Sequence, residues 1–172
     1  MILLLGFAGG MRRSELAGLD VADLEDHPDG LLVHLVRSKT DQEGRGRRIE
    51  IVYGTDPNTC PVTAVRTWLA SSGITDGPLL RPVDRHGRVL PARLAGQGVA
   101  SVVKRHMTTL GHRSGDYAGH SLHRGHVTTA ARNGASERTI MRTTGHTSIE
   151  TVRSYIDDAE LFTDPAARYL GL

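Results

Sequence analysis

Tyr155 follows His146 by nine residues, at the end of the run Gly-His-Thr-Ser-Ile-Glu-Thr-Val-Arg-Ser-Tyr. A phenol is a weak nucleophile at neutral pH, and it becomes useful when a nearby cation or base takes charge of its proton. Taken alone, a structural tyrosine is the simpler reading. A second cluster lies in Gly119-His120-Ser121-Leu122-His123-Arg124-Gly125-His126. His120 and His123 are three residues apart and share a helix face, so they suit phosphate contacts, acid–base work or, with further ligands, zinc. His126 turns partly away and no HExxH-type acid accompanies the set, which disfavours metal. The plain alternative is histidines satisfied by core or loop hydrogen bonds. Arg12 comes just after Gly9-Gly10, in Gly-Met-Arg-Arg-Ser-Glu-Leu, at the start of a helical turn where an anion can be met. Pairing with Glu15 is the simpler role. Lys39, in Arg37-Ser38-Lys39-Thr40, sits where a hairpin tip would carry its ammonium into a groove; an ordinary solvated turn lysine is the alternative.

The elements that must position these residues are mostly helices. Met1 to Ala8 is apolar all round and reads as the end of a buried helix stopped at Gly9-Gly10. Ser14-Glu15-Leu16 opens a short turn ending near Gly18. Val21–Glu25 reads as a short strand, and Leu31–Arg37 and Arg48–Val52 alternate, predicting three antiparallel strands with Lys39 at a tip. Pro61 suits a first helical turn, followed by Val62, Val65, Trp68 and Leu69 at helical spacing and a stop at Gly73. Asp76 to Gly96 reads as a long loop or short ribbon. Gln97–Leu110 reads as a helix with Val99, Val102, Val103, His106 and Leu110 inward. Helices are expected from His120 to Arg132, closed by Asn133-Gly134, from Ser136 to Gly145, and from Ser148 through Tyr155. The tail Glu160–Leu172 reads as a last helix interrupted at Pro165. The fold class is mainly α (α+β), with one small antiparallel sheet.

Composition narrows the function. With 172 residues and 38% hydrophobic content the chain fits one domain. A single cysteine, Cys60, excludes a disulfide framework and multi-Cys zinc patterns. The longest apolar run is Ile2–Leu5, far short of the roughly 20 residues of a membrane span. No basic segment precedes it and no clean cleavage site follows, so a soluble cytoplasmic protein is expected. Net charge is only +2, yet Arg88–Arg153 holds ten basic residues against three acids, and seven of nine histidines lie between His86 and His146. That basic half suits a polyanionic partner, with a solvated surface as the even alternative.

Together these pieces resemble the catalytic domain of the tyrosine recombinases, the phage integrase family. The resemblance runs over nearly the whole chain. It rests on the Arg12 block, the hairpin lysine, Cys60-Pro61 with the Trp68 helix, the His120 box, Asn133-Gly134, Gly145-His146 and Tyr155. Type IB topoisomerases share the chemistry, but the compact Gly-His and Tyr box favours the integrase branch. The resemblance implies double-stranded DNA as partner, a tetramer of protomers on DNA, no membrane, and neither metal nor other cofactor. It implies Tyr155 as nucleophile forming a 3′-phosphotyrosine link, Arg12 clamping phosphate oxygens, and Lys39 protonating the leaving 5′-oxygen. His120 and His146 would serve proton transfer and phosphate hydrogen bonds. Arg13, Arg37, Lys104, Arg105, Arg124 and Arg142 are the expected DNA-backbone contacts.

Two departures qualify it. The family's His-x-x-Arg reads here His120-Ser121-Leu122-His123, so the second clamp arginine is missing. Arg124 is adjacent, but one helical step rotates it by about 100°. Losing one such donor costs roughly 3–4 kcal/mol of transition-state stabilisation. Cleavage is therefore expected to be impaired, with a catalytically inactive DNA-binding remnant as the alternative; a zinc hydrolase using His120, His123 and His126 is a third reading. The second departure is that only 11 residues precede Arg12. The expectation is an N-terminally truncated catalytic domain over 1–172 without the helical domain that closes around DNA.

Overall fold

A computed structural model describes residues 1–35, 46–160 and 166–170. Arg37 and Lys39 lie outside them, as does the tip of the hairpin. The elements are α1 (Ile2–Ala8), α2 (Arg13–Gly18), β1 (Leu24–His27), β2 (Gly30–Leu35), β3 (Arg47–Val52), α3 (Pro61–Ser72), α4 (Gly96–Thr109), α5 (Ser121–Arg132), α6 (Glu137–Thr144) and α7 (Ile149–Glu160). Short 3₁₀ turns occur at Val21–Asp23, Ser114–Asp116 and Ala166–Tyr169.

The sheet is antiparallel in the order β1-β2-β3. Leu31 pairs with Ile51, Val33 with Ile49 and Leu35 with Arg47. Alternation does the sorting: Leu31, Val33, Leu35, Ile49 and Ile51 all face the core, where they join Leu5, Leu16, Leu19, Val62 and Val65. A smaller cluster of Val127, Ile140 and Val152 holds α5, α6 and α7 together. The seam between the two clusters is where the polar residues of interest meet.

Local chemistry sets the ends of the elements. Pro61 opens α3, and the Cys60 sulfur accepts the backbone N–H groups of Thr63 and Gly54 at 3.4 and 3.2 Å. The Ser136 hydroxyl accepts the Thr139 N–H at 3.2 Å and starts α6. Arg93 closes α2 by donating to the carbonyls of Ala17, Gly18 and Leu19 at 3.2, 2.7 and 3.0 Å. The segment before α4 is a loop pinned to the core by Leu79 and Leu80, and Leu79 N–H donates to Leu19 O at 2.9 Å.

Three expectations are corrected. The strand expected over Val21–Glu25 starts only at Leu24: Asp23 folds back to accept the Asp20 N–H at 2.8 Å, tightening Val21–Asp23 into a 3₁₀ turn. His106 and Leu110 are exposed rather than inward, and Val102 is only half-buried; α4 buries Val99, Ala100 and Val103. The last long helix runs past Tyr155 to Glu160; of the expected tail, residues 161–165 and 171–172 lie outside the described residues, and Ala166–Tyr169 is a 3₁₀ turn.

Candidate active site

Arg12 is the N-cap of α2, and Glu15 is its third helical residue. The Glu15 carboxylate accepts the Arg12 backbone N–H at 2.7 Å, closing the cap, and the Arg12 guanidinium at 3.0 Å. It also takes both terminal nitrogens of Arg47, at 3.2 and 3.0 Å. Arg12 donates onward to the Thr144 carbonyl at the end of α6, at 3.2 Å. The Glu15 side chain is 1% exposed and each arginine 14%. Burial pushes the Glu15 carboxyl up, but Arg47, the Arg12 N–H and the Arg12 guanidinium outweigh it, so it titrates below its ordinary value. Arg12 thus fills both roles weighed for it: it pairs with Glu15 and still reaches the cleft.

Opposite lies a histidine group. His123, 4% exposed, projects from α5 and its Nδ1 meets the Gly10 carbonyl; His126, one turn on, does the same to Phe7 O at 2.8 Å. Both rings therefore cap the end of α1, and His126 points out of the cleft. A carbonyl only accepts, so His123 carries its proton on Nδ1. Its Nε2 faces His146 Nε2 at 3.3 Å. His146 Nδ1 lies 2.7 Å from the Thr144 hydroxyl, itself 2.7 Å from Ile140 O. Burial, Arg12 and His146 lower the His123 pKa to about 4, against the Gly10 and Glu15 contacts that raise it. His146 is also lowered, by burial, then Arg12 and Arg47. Gly10 has φ +55, and a Cβ there would press on the His126 ring and Thr144 Cγ2, so glycine is required where α1 turns into the site.

Tyr155, on α7, completes the cleft. Its ring centroid is 6.0 Å from that of His146, and the Arg124 guanidinium lies over the Tyr155 ring, 5.5 Å from its centroid. The cleft holds about 300 Å³ and is lined by Arg12, His120, His123, His146, Thr147, Ser148, Thr151 and Tyr155. A phenol, an exposed imidazole at His120, the His123–His146 pair and a guanidinium around such a volume suit nucleophilic attack on an oxyanion-bearing centre such as a phosphodiester.

The sequence pattern of the phage integrase family matches residues 1–161. An "Integrase/recombinase xerD homolog" of Selenomonas ruminantium is 38% identical over 165 residues, covering 96% of this chain and 48% of that protein. The chain belongs to the phage integrase family. Solved integrase structures share the fold. The XerH site-specific recombinase bound to its difH substrate superposes with TM-score 0.67 at 16% identity, over 96% of this chain and 45% of XerH. XerA gives 0.66 at 19% identity, over 99% and 56%. The lambda integrase dimer on a core site gives 0.64 at 15% identity, over 91% and 41%. The chain spans about half the length of these relatives.

Within this integrase fold the expected residues distribute unevenly. Arg12, His120, His123, His146 and Tyr155 share the cleft. The Arg124 guanidinium lies over the Tyr155 ring, closer to the site than its helical offset suggested. Arg13 is half-buried, its stem packed on Gly119 and close to Gly96, where it supports the approach to His120. Lys104 and Arg142 are exposed on α4 and α6. Arg105 lines a different cavity, with Met1, Ile2 and Trp68. Arg47 was missed. Its signal is parity: positions 47, 49 and 51 face the same side, so an arginine precedes two core isoleucines at an inward position.

Proposed function

We propose that the chain cleaves and rejoins DNA at specific sites through Tyr155. The phenolic oxygen attacks a backbone phosphorus, the 5′-oxygen leaves with a proton, and a 3′-phosphotyrosine forms. A 5′-hydroxyl from another strand reverses the step, so no bond energy is lost. The convergence of Tyr155, His146, His120 and Arg12 on one phosphate-sized cleft carries this reading. In this mechanism Arg12, aligned by Glu15, binds non-bridging oxygens, His120 hydrogen-bonds the phosphate and shuttles protons, His146 stands beside it with its ring nitrogens held by His123 and Thr144, and Lys39 is the acid for the leaving oxygen. Duplex DNA is the partner, held by Arg13, Arg37, Lys104, Arg105, Arg124 and Arg142, and strand exchange needs several protomers together, a tetramer in the full reaction. XerH was solved on its difH substrate and the Tn1549 transposon integrase with transposon right end DNA, which supports the choice of partner. No helix among the described residues is long and apolar enough to cross a membrane, which fits action on DNA in the cytoplasm.

A second reading, DNA binding without cleavage, is favoured by one observation: His123, neutral near pH 7, stands in the second arginine's place. Covalent trapping on a nicked suicide duplex built from the element's own ends separates the two. The expected result is an adduct in the original chain, lost in Tyr155→Phe and increased in His123→Arg. An adduct only in His123→Arg establishes the binding-only reading. No adduct in any variant, on DNA the chain demonstrably binds, overturns the cleavage proposal.

A further inference from the structure

His123 and His146 form one hydrogen-bonded chain with fixed ends. Four links run from the Gly10 carbonyl through His123, His146 and the Thr144 hydroxyl to the Ile140 carbonyl. Two neutral imidazoles and one hydroxyl bring three protons to these four links. The neutral pair has two arrangements: in one the hydroxyl donates to Ile140 O, His146 Nδ1–H donates to the hydroxyl and the Nε2–Nε2 link is empty; in the other Thr144 donates to His146 Nδ1, His146 Nε2–H donates to His123 Nε2, and His123 Nδ1–H donates to Gly10. In the second, only the hydroxyl's link to Ile140 is empty, and that carbonyl keeps its helical partner. A fourth proton fits without moving a heavy atom. The hydroxyl rotates to Ile140, His146 Nδ1–H donates to Thr144, and the pair carries one positive charge with every link filled.

The surroundings decide when that proton enters. Among the described residues, the titratable and charged groups around the pair are Arg12 and Glu15 from α2, Arg47 from β3, His120 from the start of α5 and Tyr155 from α7, with Arg124 over the Tyr155 ring. Burial is the first cause that keeps the empty pair neutral, and among the described residues that act on it the Arg12 and Arg47 guanidiniums outweigh the Glu15 carboxylate by one positive charge. A phosphodiester entering the cleft cancels that charge, and the phosphorane formed on attack carries one more negative charge still. We propose that the His123–His146 pair takes up one proton when a tetrahedral oxyanion enters the cleft and so acts as the conditional second cation of the phosphate clamp. The substitution of the clamp arginine then replaces a permanent charge with one loaded by the substrate itself. This deepens the strand-cleavage reading, since it takes a phosphate in this cleft as its premise.

Inorganic sulfate is the probe, because it stays dianionic between pH 5 and 8 and every proton taken up belongs to the protein. Sulfate affinity is measured against pH on the full chain, with ¹⁵N imidazole spectra reporting which ring gains the proton; His120→Gln assigns and removes the third imidazole of the cleft. The expected affinity rises about tenfold per unit fall in pH from 7 to 5, the signature of one linked proton. The His123 and His146 nitrogens move to imidazolium shifts on sulfate binding. His123→Arg binds sulfate with a flat profile, and His123→Gln, which still donates to Gly10, binds weakly and also without slope. A flat profile in the original chain, a slope that survives in His123→Gln, or absence of sulfate binding at pH 5 to 6 by folded protein each overturns the proposal. None of these readouts needs DNA cleavage. Proton-linked sulfate binding without a Tyr155 adduct on DNA would sink the cleavage reading and leave the dyad standing.

Discussion

The two walls of the cleft hold positive charge by opposite means. On one, Arg12 and Arg47 share Glu15 in a buried, permanently ionised triad. On the other, His123 and His146 sit neutral in a chain of hydrogen bonds ending on backbone carbonyls. The first wall is fixed by charge pairing and is indifferent to pH near neutrality. The second is fixed by hydrogen-bond direction and changes with one proton. A site built from both can keep a weak clamp at rest and a stronger one with substrate in place.

Breaking the charged wall gives the largest effect. Glu15→Gln leaves two buried guanidiniums facing each other with no counter-charge, and about 3–5 kcal/mol of stability is lost, read as a lowered urea midpoint. A loss below about 1 kcal/mol would mean that water, not Glu15, satisfies the arginines.

Titration separates the walls next. The His123 pKa is about 4 in the folded chain, below the ordinary 6.5. Its contribution is therefore complete above pH 6.5 and is lost as pH falls from 6.5 to about 4, at up to about 1.4 kcal/mol per unit. His126 and His146 shift in the same direction and steepen the slope. Glu15 is lowered from 4.5, so its contribution persists above 4.5 and fails only at lower pH. Stability against pH should thus fall in two stages, histidines first. His123→Gln flattens the first stage and leaves the second; equal slopes in the two chains would contradict the assignment.

Much of the frame was legible because its causes are local. The alternation of Leu31, Val33 and Leu35 against Ile49 and Ile51 names the sheet and its inward face. Pro61, Gly73, Asn133-Gly134 and Ser136 mark helix ends by their own backbone chemistry. The end of α7 was misplaced because nothing from Ile156 to Glu160 breaks a helix, and the tyrosine that marks the motif is not a stop. The inward face of α4 was assigned one residue off in its last turn: the stripe passes through Val103 to the half-buried Met107, leaving His106 outside. The site's residue types were readable, but its wiring was not. Arg47 and Glu15 are 32 residues apart, and His123 and Gly10 are 113 apart. Only the folded chain shows that an inward strand arginine and a misplaced histidine serve opposite walls of one cleft.

Gly145 joins the walls and gives an intermediate effect. It ends α6 with φ +69, and a Cβ there would overlap the Arg47 guanidinium. Gly145→Ala should cost about 1–2 kcal/mol for the left-handed backbone alone, and more if Arg47 cannot shift. Equilibrium unfolding checks the total. Pairing it with Arg47→Met tests the cause, because relief of the overlap makes the double variant less destabilised than the sum of the two singles. Strict additivity would assign the whole effect to the backbone.

Thr144→Val has the smallest effect on stability and bears most directly on the histidine wall. The side chain is fully buried and nearly isosteric with valine, so the cost is about 1 kcal/mol for the lost hydroxyl links. Its effect on the proton is larger in kind. In the original chain the hydroxyl can turn, donating to His146 Nδ1 in one neutral arrangement and accepting from it in the charged state. Valine offers neither, and an imidazolium N–H facing methyl groups is penalised more than a bare ring nitrogen. The proton uptake that accompanies sulfate binding should therefore shift to lower pH in Thr144→Val, while Arg12 and Glu15 keep their contacts. An unchanged uptake midpoint would show that the extra proton rests on the Nε2 link or elsewhere, and that the hydroxyl rotor plays no part in loading it.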